Sequence, residues 1–224
     1  MPKVLLQRGR SFQDCLFTLM NQTTSHTFSM QPVFIYTEAS PNPNSMKFVF
    51  NFELVPQGLS FDYPDLAATQ AEGKSSPLAG DLFQFPFVQR VFLASNFVTL
   101  TKDDTTDWGE VILDTKQFLK IYFEENHPVF EQKTVERNTT IVDTDSPTVR
   151  QIKTVLDDYV RPAVESDGGA ISFHSFEEET GVVKVLLQGS CSGCPSSTLT
   201  LKAGIQNLLT QMVPTVKEVV AEGV

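Results

Sequence analysis

Apolar residues change their period several times along the chain, and each change predicts an element. Pro32 to Thr37 and Met46 to Leu54 are rich in β-branched and aromatic side chains and flank the turn-rich Ser40-Pro41-Asn42-Pro43-Asn44-Ser45, which predicts strand, loop, strand. Ser76-Pro77 followed by Asp81 to Phe85 has a helix-start pattern. Val88 to Ala94 and Phe97 to Lys102 flank Ser95-Asn96 as a hairpin. Asp107 is placed to cap a helix carrying Val111, Ile112, Phe118, Leu119 and Tyr122. Together these elements predict one α+β unit over residues 30–126.

A second unit opens at Ser146, an N-cap, with Pro147 at the first helical position. Val149, Ile152, Val155, Leu156, Tyr159, Val160 and Ala163 then fall on one helical face, and Pro162 predicts a bend or an end. Asp167-Gly168-Gly169 turns the chain into a strand from Ala170 to Phe176, and Glu177 to Gly181 leads to a second from Val182 to Gln188. A helix follows Pro195 with Leu199, Ile205, Leu208, Leu209 and Met212, Pro214 stops it, and Val216 to Val220 closes as a strand. The expected fold is α+β: two small two-layer domains, 30–126 and 146–224, joined by an acidic linker. That linker, 127–145, is rich in Glu, Thr, Asn and Asp and has no apolar period. Residues 1–29 have no steady period either and are expected to form a poorly ordered extension.

Composition narrows the function. A 41% hydrophobic content is enough for ordinary cores, and no stretch approaches the ~20 apolar residues of a membrane span. Seventeen basic against 27 acidic residues give a net charge of -10, which repels phosphate backbones and anionic lipid, so neither nucleic acid nor membrane is an expected partner. Three cysteines cannot build a multi-disulfide framework, so a reducing compartment is the simpler setting. The cytoplasm is the expected location. Residues 1–29 hold Lys3, Arg8 and Arg10 with many hydroxyls, so the mitochondrial matrix is the alternative if they are a transit segment.

Two cysteines stand in Gly189-Ser190-Cys191-Ser192-Gly193-Cys194-Pro195, between a predicted strand and a predicted helix. Unpaired N–H groups and the dipole at a helix start favour thiolates, the form that ligates metal or attacks sulfur. Soft thiolates take iron-sulfur clusters or zinc, and a 4Fe-4S cubane wants four of them. One chain offers Cys191 and Cys194; two chains facing each other offer four. The same strand, Cys-x-x-Cys, helix order also suits a thioredoxin-like dithiol oxidoreductase, although there the motif lies early in a long α/β chain rather than near a domain's end. Cys15 has no spaced companion and is assigned no role.

Around these residues the chain resembles the NifU-like family in its two-domain Nfu type. Arg161-Pro162-Ala163, Asp167-Gly168-Gly169 and the run Leu187 to Ser197 carry the resemblance in the second domain. Thr37-Glu38, Pro41-Asn42-Pro43-Asn44, Lys47-Phe48, Ser76-Pro77-Leu78-Ala79 and Trp108 carry it in the first. The resemblance implies a carrier of iron-sulfur assembly. Such a protein receives a 4Fe-4S cluster from a donor scaffold, holds it between the two subunits of a homodimer through Cys191 and Cys194, and passes it to apo iron-sulfur proteins. Ser40 stands where the family commonly has Thr.

The remaining features point to structure. Asp167, Gly168 and Gly169 suit a turn with positive φ as well as a cluster's surroundings. His26, His127 and His174 are scattered, the phenylalanines of residues 48–97 read as core, and Trp108 reads as half-buried packing. No Ser/His/Asp set, phosphate loop or carboxylate pair is present, and the chain is not expected to be an enzyme. The N-terminal domain, with no cysteine between residues 16 and 190, is expected to dock client proteins while the linker lets the loaded domain swing.

Overall fold

The computed structural model describes residues 32–56, 58–131, 145–190 and 195–223. The expectations for residues 1–29, for most of the linker and for the two motif cysteines fall outside them.

Two sheets, each with its own core, make a mixed α+β protein. The first has five strands: β1 (Ile35–Ala39), β2 (Ser45–Phe50), β3 (Ser60–Tyr63), β4 (Val88–Ala94) and β5 (Phe97–Lys102), arranged β1-β2-β5-β4-β3 with every pair antiparallel. β3 is absent from the sequence reading, being four residues with only Phe61 and Tyr63 to signal it. Two helices cover one face of this sheet. α1 (Pro77–Leu82) starts where Ser76 accepts a hydrogen bond from the Ala79 N–H, and α2 (Trp108–Glu124) starts where Asp107 accepts one from Gly109. Phe48, Phe50, Tyr63, Phe118 and Tyr122 lie between sheet and helices, at most 1% exposed. Phe85 meets Phe118 edge-on at 5.2 Å, a favoured arrangement of aromatic quadrupoles.

The start of the expected linker belongs to this unit. Val129 and Phe130 pack on its core, the Phe130 ring lies 4.6 Å from Phe61, and the Tyr122 and Ser76 hydroxyls donate to the carbonyls of Pro128 and Val129. Residues 127–131, read from sequence as linker, thus belong to this unit. The acidic composition hid two apolar residues that the core takes up.

The second sheet is β6 (Gly169–Glu177), β7 (Val182–Gly189) and β8 (Glu218–Gly223), with β6 antiparallel and β8 parallel to β7. A parallel neighbour needs a crossover, and α5 (Pro195–Met212) provides it. The opening helix, expected to bend or end at Pro162, does not end there. It runs as α3 (Pro147–Val155), widens to a π-turn over Leu156–Val160 and resumes as α4 (Arg161–Ser166). A proline has no N–H to give the preceding turn, and the wider turn accommodates this while inserting one extra residue. Val160 is buried as expected, but Val164 is buried in place of Ala163, and Tyr159 is 58% exposed.

Candidate functional site

The site is built upward from the end of the β6–β7 hairpin. Gly169 pairs with Gly189 in the last rung of the ladder, so the turn before β6 and the exit of β7 lie side by side. Gly168 has φ +83° and Gly189 φ +68°, conformations that strain any residue with a Cβ. Ser190, 2% exposed, closes this corner: its N–H reaches the Gly168 carbonyl at 3.4 Å and its hydroxyl donates to the Asp167 carbonyl at 2.6 Å. The next four residues, with Cys191 and Cys194, lie outside the described ones, and the chain re-enters at Pro195 as an 18-residue helix. The strand-to-helix setting of the motif therefore stands as expected, while the thiols themselves carry no geometry here.

The sequence did not show that the first unit packs against this corner. Period-2 alternation sends Phe48, Phe50, Val91, Leu93, Val98 and Leu100 to the helix-covered face. It sends Val49, Phe92, Ala94 and Phe97 to the other, where they form a separate buried cluster with Ala170 of β6. Polar contacts frame the cluster. Ser40 donates to the Asp167 carbonyl at 3.0 Å, the Lys47 ammonium lies 3.5 Å from the Ser166 carbonyl, and Ser60 donates to Gln188 at 2.9 Å. Asp62 Oδ2 accepts the Gly189 N–H at 2.8 Å, and both of its oxygens are held by Arg90 at 2.7 and 3.0 Å. A Cβ on Gly189 would lie 2.8 Å from the Phe92 ring and from the Gly168 carbonyl, and one on Gly168 would lie 2.8 Å from Thr99 Oγ1. The turn glycines thus serve close domain apposition as well as backbone conformation. Asp62, Arg90 and Ser190 were missed. One signal was available: Val91-Phe92-Leu93-Ala94 is apolar without alternation, the mark of a strand buried on both faces.

Charges at this interface are balanced. Lys47 pairs with Glu38 at 3.1 Å and sits 4.5 Å over the Phe97 ring. Burial pushes the Glu165 carboxyl above its ordinary value, with Arg161 and Lys47 opposing the shift. Thr99 Oγ1, beside Gly168, is buried and makes no hydrogen bond among the described residues.

The other singled-out residues are structural. Trp108 is half-buried, donates from Nε1 to the Pro43 carbonyl at 3.2 Å and meets Phe48 edge-on. His127 lies against Tyr122, its Nε2 3.0 Å from Glu125. His174 lines a cleft of about 300 Å³ with Lys153, Asp157, Arg161 and Phe173. No cluster of three or more His, Cys, Asp or Glu suited to a metal occurs among the described residues, and no described helix is long and apolar enough to cross a membrane.

Comparison with known proteins agrees with this layout. Residues 35–126 match the family model described as "Scaffold protein Nfu/NifU N terminal", and residues 152–220 match "NifU-like domain". A Drosophila persimilis protein named "NFU1 iron-sulfur cluster scaffold homolog, mitochondrial" is 37% identical over 201 residues, covering 90% of this chain and 69% of its own length. An Arabidopsis thaliana protein named "NifU-like protein 5, mitochondrial" is 41% identical over 192 residues, covering 85% of this chain and 68% of its own. A solution structure of a NifU-like protein from Saccharomyces cerevisiae covers 50% of this chain at 21% identity with a TM-score of 0.41, a likeness too distant to bear on the fold. The chain belongs to the NifU-like family, as an Nfu-type protein in which an Nfu N-terminal domain precedes a NifU-like domain.

Proposed function

We propose that this protein is an iron-sulfur cluster carrier that holds a 4Fe-4S cluster between two subunits on Cys191 and Cys194 and transfers it to apo iron-sulfur proteins. The observation that carries the reading is the family membership together with a Cys-x-x-Cys set between the exit of β7 and the start of α5. Two thiolates per chain satisfy half of a cubane's need, so a homodimer completes the ligand set around its cargo. The iron-sulfur scaffold names of relatives support the cargo, and their mitochondrial names favour the mitochondrial matrix over the cytoplasm expected from composition. The dithiol alternative fits less well. The motif follows the second strand of a three-stranded β6-β7-β8 sheet, with one helix and one strand remaining.

The chemistry asked of the protein is ligand exchange rather than catalysis. Thiolates of the acceptor replace Cys191 and Cys194 on iron, and each thiolate released takes up a proton. The test is anaerobic reconstitution followed by iron, acid-labile sulfide and visible absorption measurements. The expected result is about half a cubane per chain, with sedimentation shifting from monomer to dimer on loading. Cys191→Ser and Cys194→Ser should lose the cluster. Normal iron and sulfide in Cys194→Ser, or a loaded monomer with one cluster per chain, would overturn the proposal.

A further inference from the structure

We propose that Asp62, on the N-terminal sheet, is a positioning residue for the cluster-binding loop: through the Gly189 N–H it fixes the strand-side root of that loop and so slows loss of the cargo. This rests on the carrier reading above and adds to it a part played by the N-terminal domain.

Geometry carries the inference. Asp62 stands on edge strand β3, with a side chain 3% exposed, and points away from its own domain's core. A buried carboxylate needs its lone pairs satisfied, and Arg90, the neighbouring β4 residue, grips both oxygens. The pair would already be satisfied as a cross-strand ion pair. Its remaining acceptor capacity goes instead to the N–H of Gly189, 127 residues away in sequence and two before Cys191. Gly189 is the last residue of β7 and pairs with Gly169 in the final rung of the ladder. Beyond it Ser190 is tied to the 167–168 turn through its N–H and its hydroxyl. That turn is itself clasped by Ser40 and Lys47 of the same N-terminal sheet. The N-terminal domain therefore holds the exit of β7, which leads into the loop, and the turn that lies beside that exit. Ordering a ligand loop before the cargo arrives lowers the entropy lost on binding, which strengthens retention without any new contact to the cluster.

The contact also assigns the two glycines. Any Cβ at Gly189 would strike Phe92, and any at Gly168 would strike Thr99, so both positions are shaped to let this sheet approach. A domain that merely swung free on its linker would not require either fit.

The experiment uses full-length protein loaded anaerobically and follows bleaching of the visible cluster band by excess ferrous chelator, alongside amide hydrogen exchange of the apo protein. In Asp62→Ala the cluster should be lost about tenfold faster, the size of one charge-assisted hydrogen bond. Gly189 exchange should rise by a similar factor while Val185, in the same strand, stays protected. Asp62→Asn keeps an acceptor for Gly189 and should recover part of the retention. If Asp62→Ala unfolds the first domain, the doubly substituted Ser40→Ala/Ser60→Ala protein replaces it. That variant removes two bonds across the same interface and should lose its cluster severalfold faster. Cluster loss at the wild-type rate in the folded variant, or Gly189 exchange that does not change, overturns the proposal. Failure of the wild type to load, or normal loading of Cys194→Ser, overturns the carrier reading instead, and Gly189 exchange in the apo protein separates the two failures.

Discussion

The two domains solve the same packing problem with different materials. The core of the N-terminal domain is rich in aromatic rings, with Phe48, Phe50, Phe61, Tyr63, Phe85, Phe87, Phe118 and Tyr122 packed among Leu and Val between a five-stranded sheet and two helices. The buried core of the C-terminal domain is aliphatic, made of Val, Leu and Ile, with Phe173 and Phe176 at its margin. Large rings bury more area per residue and fix orientation by edge-to-face contact, which suits a broad sheet. Small branched side chains fill the narrower, three-stranded second domain. The N-terminal sheet is buried on both faces, by its own helices and by the partner domain, whereas the C-terminal domain ends in the loop that carries the thiols.

The sharpest way to break this comparison is to empty each core separately. Phe118→Ala should cost the N-terminal domain about 3–5 kcal/mol, and Leu209→Ala should cost the C-terminal domain about 2–5 kcal/mol, since both side chains are 0% exposed. Urea unfolding followed by Trp108 fluorescence reports the first domain, and exchange of β7 amides reports the second. Phe118→Ala should move the Trp108 transition far more than the β7 amides. Equal movement of both would mean that the shared interface makes them one cooperative unit.

Helix caps sharpen it at a smaller scale. Ser76 is 2% exposed and does double duty, accepting from Ala79 and donating to the Val129 carbonyl, whereas among the described residues the Ser146 hydroxyl only accepts, from Val149. Ser76→Ala should cost about 2 kcal/mol and Ser146→Ala about 1 kcal/mol, measured as shifts in each domain's urea midpoint. A larger effect at Ser146 would contradict the ranking. Thr99→Val tests the seam between the domains: the buried hydroxyl makes no hydrogen bond among the described residues, so replacing it with a methyl should be neutral or stabilise by up to about 1 kcal/mol. A loss of that size would reveal a partner for the hydroxyl.

How much of this was legible depended on whether the determinant was local. The β4–β5 hairpin and the Asp107-capped helix were, because period and cap lie within a few residues of each other. Edge strand β3 was not, since alternation of Phe61 and Tyr63 with polar Ser60 and Asp62 over four residues is indistinguishable from a loop. The stripe of the opening helix was misread at Tyr159 and Ala163 because a π-turn leaves no mark in a 3.6-residue period. The linker was placed too early because Val129 and Phe130 were outweighed by their polar neighbours. For the site, the strand-to-helix setting of the motif was readable, and the grip of Asp62 on Gly189 was not. That contact joins residues which only the finished fold brings together, and it replaces the expectation of a freely swinging domain with a docked one.

The smallest expected effect is a pH dependence that each domain carries on its own acid. Burial raises the Asp81 carboxyl in the N-terminal domain, with His127 opposing, and raises Glu165 in the C-terminal domain, with Arg161 and Lys47 opposing. An acid whose folded pKa lies above its unfolded one disfavours the folded state once it is charged. Its contribution is full below the unfolded value, about 4, and is lost as pH rises through the raised folded value. Asp103 runs the other way: hydrogen bonds from Thr106 and Thr105 lower it, so its contribution is present above the unfolded value and lost as pH falls, but it lies exposed and weighs little. Glu165→Gln should therefore raise the urea midpoint of the C-terminal domain at neutral pH and leave it unchanged near pH 3, while the N-terminal domain keeps its dependence through Asp81. Because Lys47 belongs to the other domain, Lys47→Met should raise the Glu165 pKa further, which a carboxyl-carbon NMR titration reads directly. The pKa would stay put only if the two domains were not in contact, and the docked arrangement would then fail with it.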